Sequence, residues 1–461
     1  MYNYEDFFQV AEYKEQNVPS YKGNPFIEAL PNILSEEDFM NLVNTYPIYD
    51  ENERNLPIQE RIHCLNLVYE CFQQLDFHEQ LEVSISNVIR QGYIYRNPIS
   101  PEFVKILNLG FTSTQNKNID MYNVNSIRRT TSCSFSVTGT SGMGKSSIVN
   151  KILSLYPQVI SHSRYKDIDF NTYQLVWLKL DCPHDGSIKG LCLKFFSAID
   201  MILGTNYYMK YGQSRNVSVN AMMPIIAQIA QNHGLGVLVV DEIQHLSIAK
   251  SGGIEKMLNF FVTLINMIGI PVILIGTPEA KDILSLKFRQ ARRSSGQGNF
   301  EIDRLKNDDD WENLMNTLFK YQWTNKKFDL TDELSNALYE ESFGIIDTAV
   351  KIYVKSQQIA IMNDFDIITP KLIEHVSKEY FKLVREKIKD AKSPHKEIIV
   401  KQKDMLTEDI DELAKSNIQR NKNISKKSKD DLDCTDLRKI TDTDDSNYNN
   451  LEESGYIKSN I

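Results

Sequence analysis

The stretch GTSGMGKS, residues 139–146, decides the fold of this 461-residue chain. It matches G-x-x-x-x-G-K-[ST], a loop whose glycines let successive backbone N–H groups close around phosphate oxygens. In this pattern Lys145 brings a positive charge to the phosphates and Ser146 ligates Mg²⁺. A strand-like segment, 132–138, precedes the loop and a helix-compatible segment, 145–155, follows it, so the loop lies at a helix N-terminus that favours an anion. The sequence therefore predicts a nucleotide hydrolase or a nucleotide switch.

A second motif follows the apolar, strand-like run VLVV, residues 237–240. We expect Asp241 to hold Mg²⁺ through water and Glu242 to polarise the attacking water, because phosphoryl transfer depends on positioning and charge stabilisation. A lone Asp would suit a switch GTPase or a kinase, whereas an Asp-Glu pair favours an additional-strand ATPase. ATP and Mg²⁺ are the predicted ligands. The predicted contacts are Gly139, Thr140, Ser141, Gly142, Met143, Gly144, Lys145, Ser146, Ser147 and Asp241, with Ser146 and Asp241 on the metal.

Residues 121–305 alternate between strand and helix, which predicts an α/β core with a parallel sheet covered on both faces. The predicted strand 174–181 precedes helices 187–203 and 220–232, and helix 255–268 follows the carboxylates. A short buried strand, 271–275, then ends just before Thr277. We expect Thr277 to sense the γ-phosphate or to orient its water.

Three arginines, Arg289, Arg292 and Arg293, lie near the end of a further predicted helix. They either offset the helix dipole or include an arginine that reaches the γ-phosphate of a neighbouring subunit in a ring. We favour the second role, for Arg292 or Arg293.

Residues 1–120 form a predicted N-terminal extension, mixed in character, with helical patterning at 36–43 and 59–75. Two of its segments each allow two interpretations. NPFIEALP, 24–31, either caps the core or docks a partner. RQGYIYR, 90–96, interleaves arginines with tyrosines and either contacts DNA backbone or packs on the core.

Residues 306–385 are predicted to form a helical lid. Where many such lids carry an arginine, at 344–347, this sequence has none, and Lys351 is the only nearby cation. Residues 386–461 are polar and poor in aromatics, which predicts a disordered tail. Its small apolar patch either docks a partner or belongs to a solubilising tail; the patch comprises Leu432, Leu437 and Ile440.

Composition sets the cellular context. The net charge of −9 gives no global attraction to nucleic acid, so DNA contact needs a local basic surface, which assembly would repeat. No apolar run approaches the roughly 18 residues of a membrane span, and the N-terminus lacks a basic-then-apolar signal. Six scattered cysteines fit a reducing compartment. We expect a cytoplasmic protein with no membrane partner.

With these motifs assembled, the chain resembles the TnsC family, the AAA+ regulators of TnsABCD-type transposons that are related to TniB. The resemblance spans roughly residues 20–385, and its most specific part is 241–280, where DEIQHL is followed by IGTPEA. The segments that carry it are 21–31, 90–98, 139–147, 154–162, 181–200, 237–247, 251–280 and 291–298.

The resemblance implies a protein that assembles with ATP as a ring or filament around double-stranded target DNA, within the nucleoid. Such a protein receives a signal from a TnsD-like target selector and licenses the transposase subunits TnsA and TnsB. DNA-stimulated ATP hydrolysis would release it. The family pattern also places channel-facing loops around Lys189 and Lys250, for each of which a solvated surface lysine is the alternative.

Two partner contacts follow from the resemblance. The tail segment DLDCTDLRKI, 431–440, is similar to the stretch that docks TnsA, although this tail is shorter than that of the best-known members. The N-terminal patch with Phe26 and Ile27 is expected to meet the target selector. Two alternatives remain for the whole protein: an AAA+ helicase loader or initiator with the same core, and a nucleotide-gated scaffold with little hydrolysis, against which Glu242 argues.

Overall fold

The computed structural model describes residues 8–105, 134–213, 218–248, 261, 269–280, 298–382 and 385–386. Several predicted residues lie outside this part of the chain. They are Lys250, Arg289, Arg292, Arg293, Leu432, Leu437, Ile440 and, apart from Phe261, the predicted helix 255–268.

The strands form two sheets. The small sheet contains β1 (Phe8–Val10), β3 (Val159–Tyr165) and β4 (Ile168–Leu175), with β1 parallel and β4 antiparallel to β3. The central sheet contains β2 (Phe135–Gly139), β5 (Trp177–Asp181), β6 (Val237–Asp241), β7 (Val272–Gly276) and β8 (Asn299–Ile302).

The central sheet is wholly parallel, in the order β5-β6-β7-β2-β8. Strands β2, β6 and β7 are buried along their entire length, as expected of a parallel sheet covered on both faces. Strand β7 lies between the strand of the phosphate-binding loop and the strand of the carboxylates. This confirms the predicted α/β class with an additional strand.

Three helices pack around this sheet: α5 (Lys145–Ser154), α6 (Ile188–Leu203) and α7 (Val219–Asn232). Helix α6 begins where the Ser187 hydroxyl accepts a hydrogen bond from the backbone of Gly190, at 3.1 Å. It ends at Gly204, whose φ of 66° is the left-handed conformation typical of a helix C-terminus. Helices α6 and α7 bury their apolar faces against β5, β6 and β7 in one hydrophobic cluster.

The predicted strand 174–181 is divided between the two sheets. Residues Gln174 and Leu175 end β4, and β5 begins at Trp177. A continuous apolar run does not reveal where a chain leaves one sheet and enters another, because both strands are half or fully buried.

The N-terminal region supplies α1 (Pro25–Glu28), α2 (Glu36–Val43), α3 (Ile58–Cys64) and α4 (Asp76–Ile94). Helix α2 confirms the patterning at 36–43. The predicted helix 59–75 is shorter in the structure, because α3 ends at Cys64 and the chain continues as a 3₁₀ helix over Leu65–Glu70.

The segment NPFIEALP caps the core. Phe26 is 3% exposed and Ile27 is fully buried, and the Phe26 ring lies 5.3 Å from the ring of Tyr93. The Asn24 side-chain amide donates to the carbonyl of Tyr93 at 2.8 Å, which ties the segment to α4. The expectation that Phe26 and Ile27 meet a target selector is therefore corrected, because neither side chain is available at the surface.

RQGYIYR also packs on the core. Arg90, Tyr93 and Arg96 are 1%, 0% and 3% exposed. The Arg90 guanidinium donates to the Tyr156 hydroxyl at 3.2 Å, and that of Arg96 donates to the carbonyl of Leu235 at 2.5 Å. Of the two interpretations of this stretch, the structure supports packing, since neither of its two arginines is exposed for DNA. Arg90 ties α4 to Pro31 and Tyr156, and Arg96 ties its end to residues 235 and 236.

The C-terminal helices are α8 (Asp309–Leu318), α9 (Asp332–Ser342), α10 (Ile346–Met362) and α11 (Pro370–Tyr380). Part of the N-terminal region packs on them: the Arg54 guanidinium donates to the carbonyl of Gln322 at 2.9 Å, and the Trp323 indole donates to Glu53 at 2.7 Å. The N-terminal residues thus join both the sheet and the C-terminal helical region. Among the described helices, none combines the length and apolarity that crossing a bilayer requires.

Candidate functional site

The phosphate-binding loop lies between β2 and α5. Gly142 and Gly144 have φ values of 85° and 75°, in the left-handed region that side chains disfavour. A Cβ on Gly142 would lie 2.9 Å from the side chain of Ile345, so a larger residue would also collide with the start of α10. Helix α5 begins directly after the loop, and the first N–H groups of a helix have no partner within it. The loop therefore presents donors suited to an anion.

Lys145 folds over this loop. Its Nζ atom donates to the carbonyls of Gly139 and Thr140, at 2.9 Å and 2.8 Å. Burial lowers the pKa of Lys145, while the carboxylates of Asp241 and Glu242 act in the opposite direction. These contacts keep the ammonium group at the mouth of the loop.

The two carboxylates follow β6 and differ in environment. Asp241 is 4% exposed; one of its oxygens pairs with Nζ of Lys179 at 2.9 Å and the other accepts the backbone N–H of Glu242 at 2.8 Å. Glu242 is exposed and has a φ of 58°, which is unusual for a residue other than glycine. Its carboxylate accepts a hydrogen bond from the side-chain amide of Gln244.

A cavity of about 550 Å³ joins these groups, a volume typical of small-molecule sites. One wall is the loop, 141–147, together with Asp241, Glu242 and Thr277. The opposite wall comes from the N-terminal segment 68–73 and from residues of α8 and α10, namely Leu314, Thr317, Leu318, Ile346, Asp347 and Val350. The structure thus brings the predicted loop residues 141–147, both carboxylates and Thr277 to one place. Gly139 and Thr140 do not line the cavity; their carbonyls accept hydrogen bonds from Lys145.

The C-terminal helices contact the loop directly. The backbone N–H of Asp347 donates to the carbonyl of Gly142 at 3.0 Å, and the Asp347 carboxylate pairs with Lys351 at 2.6 Å. Residues 344–347, where the sequence lacks the arginine that many lids carry, therefore lie beside the phosphate-binding loop. Lys351, the nearby cation, is paired with the carboxylate of Asp347.

The oxygens present fit Mg²⁺. The hydroxyl of Ser146 and the carboxylate of Asp241 line the same cavity. Mg²⁺ prefers such hard oxygen ligands and takes few from protein at phosphate-binding sites, where substrate phosphates and water complete its shell.

Other predicted residues lie elsewhere. Lys189 is half-buried in the first turn of α6 and does not line this cavity. Lys250, Arg292 and Arg293 lie outside the described residues. Sequence reasoning did not identify Lys179, Gln244 or the wall at 68–73. The one sequence signal for Lys179 is the presence of a lysine within an otherwise apolar strand.

Residues 128–284 match the family model described as AAA domain, about a third of the chain. The parallel sheet with its additional strand, the phosphate-binding loop and this match agree on the class of fold: this segment has an AAA-type ATPase fold. Among proteins of curated function, none matches the chain in sequence.

Three solved structures share part of the fold at low identity. The Walker-type ATPase PABY2304 of Pyrococcus abyssi is 16% identical, with a TM-score of 0.36 over 62% of this chain and 75% of its own. The ORC1 protein of Aeropyrum pernix in complex with DNA is 13% identical, with a TM-score of 0.35 over 56% and 64%. The ORC2 protein of the same organism, in its ADPNP-ADP complexes, is 10% identical, with a TM-score of 0.34 over 61% and 68%. At these TM-scores the likeness carries no functional conclusion.

Replacing Lys179 with Met is expected to destabilise the protein by about 3 kcal/mol, because it leaves the buried Asp241 carboxylate without its cation. Thermal or urea unfolding without nucleotide measures the loss. Lys194→Met is the matched control, since the Lys194 ammonium is exposed and bonds only a backbone carbonyl among its described contacts. Equal melting of Lys179→Met and the parent protein would show that the ion pair adds no stability.

Proposed function

We propose that this protein is an ATP-hydrolysing assembly switch that oligomerises on double-stranded DNA and regulates transposition. The observation that carries the ATPase part is the cavity that joins the loop residues Lys145 and Ser146 to Asp241, Glu242 and Thr277. Phosphoryl transfer needs a phosphate cradle, a metal and an oriented water. These residue types provide the cradle, ligands for the metal and a carboxylate that can orient the water.

Each side chain has a distinct proposed role. Lys145 binds the β- and γ-phosphates, and Ser146 and Asp241 would hold Mg²⁺, which when bound would neutralise charge on the transferred phosphoryl group. Glu242 accepts the proton of the attacking water. Thr277, at the end of β7, contacts the γ-phosphate or the same water. In an assembly, Arg292 or Arg293 would reach the γ-phosphate of the adjacent subunit.

The transposition role rests on the sequence resemblance, above all on DEIQHL and IGTPEA between residues 241 and 280. In this role the protein receives a signal from a target-selection protein and recruits TnsA and TnsB, with segment 431–440 as the TnsA contact. A helicase loader or initiator is the alternative with the same core, and it would act with a helicase instead of a transposase.

DNA binding by a chain of net charge −9 requires a repeated local basic surface. Lys189 lies after the carboxyl end of β5, at the start of α6. A ring that turns this edge inward would line its channel with one such lysine per subunit, and the loop around Lys250 would add a second.

Electron microscopy of the protein mixed with duplex DNA and a non-hydrolysable ATP analogue tests the proposal. Rings or filaments on the duplex are expected with the analogue and not without nucleotide. Sedimentation of labelled duplex measures the same assembly in solution. Failure of the protein to retain duplex in the presence of the analogue would contradict the DNA-bound switch. Binding of the protein to a helicase without retention of duplex would support the helicase loader.

A further inference from the structure

A glutamine outside both nucleotide motifs links the two sides of the site. Gln244 lies in the 3₁₀ helix Ile243–Ile248, which begins immediately after the carboxylates. Its side-chain nitrogen donates to the carboxylate of Glu242, and its side-chain oxygen accepts the backbone N–H of Thr277 at 3.2 Å. One amide therefore connects the proposed base to the end of β7.

The surrounding backbone is shaped to receive this amide. Glu242 adopts the left-handed conformation, and its carbonyl accepts the N–H of His245 at 3.1 Å, so the chain turns sharply after β6. Ile243 is 1% exposed and anchors the turn. A Cβ on Gly276 would lie 2.6 Å from the Ile243 side chain and 3.1 Å from the Gln244 oxygen. The glycine at the end of β7 thus leaves room for both residues.

The two hydrogen bonds also define what a side chain at this position must offer. The oxygen has to face a backbone donor, so the NH₂ group faces the carboxylate, and only an amide of this length supplies both. Asparagine is one carbon shorter. An ionised glutamate would have no proton to donate and would repel Glu242.

We infer that Gln244 is a positioning residue that holds the Glu242 carboxylate at a set distance from Thr277. The inference rests on the proposed ATPase function and deepens it. Glu242 is exposed, so its side chain would otherwise sample several rotamers, and only some of them direct the carboxylate at the water beside the γ-phosphate. Because Gln244 also accepts the backbone N–H of Thr277, it couples the proposed base to the end of β7, where Thr277 is proposed to contact the γ-phosphate.

The test compares Gln244→Ala and Gln244→Met with the parent protein. Turnover of ATP is expected to fall roughly 10- to 100-fold in both variants, since a small displacement of a catalytic group costs up to about 10²-fold. The KM for ATP and the affinity for a fluorescent ATP analogue are expected to stay within about twofold, because the side-chain hydrogen bonds described for Gln244 go to Glu242 and Thr277 and not to the phosphate-binding loop. Methionine keeps the length and packing of the side chain, so its result stands even if the alanine variant unfolds.

A double-mutant cycle identifies the partner of Gln244. In the Glu242→Gln background, Gln244→Met is expected to cause no further loss of turnover, because the group it positions is already gone. His245→Ala is the control from the adjacent position, where the side chain contacts His184. An equal loss in both backgrounds, or parental turnover of Gln244→Met, would overturn the inference. Undiminished turnover of Glu242→Gln alone would instead refute the proposed ATPase mechanism.

Discussion

Replacing Glu242 with Gln is expected to reduce ATP turnover by about 10²- to 10⁴-fold, the usual contribution of a general base. The amide has the size of the carboxylate but cannot take a proton from water. Binding of ATP should persist, because Lys145 and the loop remain intact. Phosphate release under saturating ATP and titration with a fluorescent analogue measure the two quantities separately.

The same variant separates a hydrolase from a nucleotide-gated scaffold. A hydrolase that disassembles on turnover should keep its ATP-dependent grip on duplex DNA, or hold it longer, once Glu242 is replaced. Glu374→Gln serves as control, since Glu374 is exposed in α11 and pairs with Lys378. Turnover at the parental rate in Glu242→Gln would show that the role assigned to this carboxylate is wrong.

Replacing Lys145 with Ala is expected to weaken nucleotide binding by about 3 kcal/mol, roughly a hundredfold, because charged hydrogen bonds to the phosphates are lost. Burial lowers the pKa of Lys145, and the nearby carboxylates favour its charged form. Calorimetric titration with an ATP analogue measures the affinity, and a melting curve shows whether the variant is folded.

Loss of nucleotide should also abolish assembly on DNA. Lys145→Ala is expected to leave duplex free at analogue concentrations that saturate the parent protein, whereas Lys378→Ala, on the exposed face of α11, should assemble normally. Retention of duplex by Lys145→Ala regardless of ATP would mean that nucleotide does not join the subunits.

Much of the core is readable from local sequence. The loop requires glycine at positions 142 and 144 because both adopt positive φ, and the buried strands β6 and β7 appear as unbroken apolar runs. Helices α5, α6 and α7 lie within a residue or two of their predicted bounds. These features depend on residues close together in the chain, where steric limits and periodicity act.

Other features depend on partners far apart in the chain. The sequence does not predict β3 or the greater part of β4, and the small sheet they form with β1 joins residues 8–10 to 159–161. Arginines and tyrosines alternate in residues 90–96 as they would on a DNA-binding surface, yet Arg96 satisfies carbonyls of residues 235 and 236 inside the protein. A charged side chain is buried only when such acceptors surround it, and sequence does not show where they are.

The sequence by itself determined the phosphate-binding loop, from the spacing of Gly139 to Ser146, and the pair Asp241 and Glu242 after an apolar strand, to which we assign the metal and the base. Only the tertiary structure decided how these groups are held. Lys179 reaches Asp241 from the neighbouring strand, Gln244 connects Glu242 to Thr277, and segment 68–73 closes the cavity. Each of these contacts forms where separate elements meet at the carboxyl edge of the sheet, and the order of strands that creates this edge arises on folding.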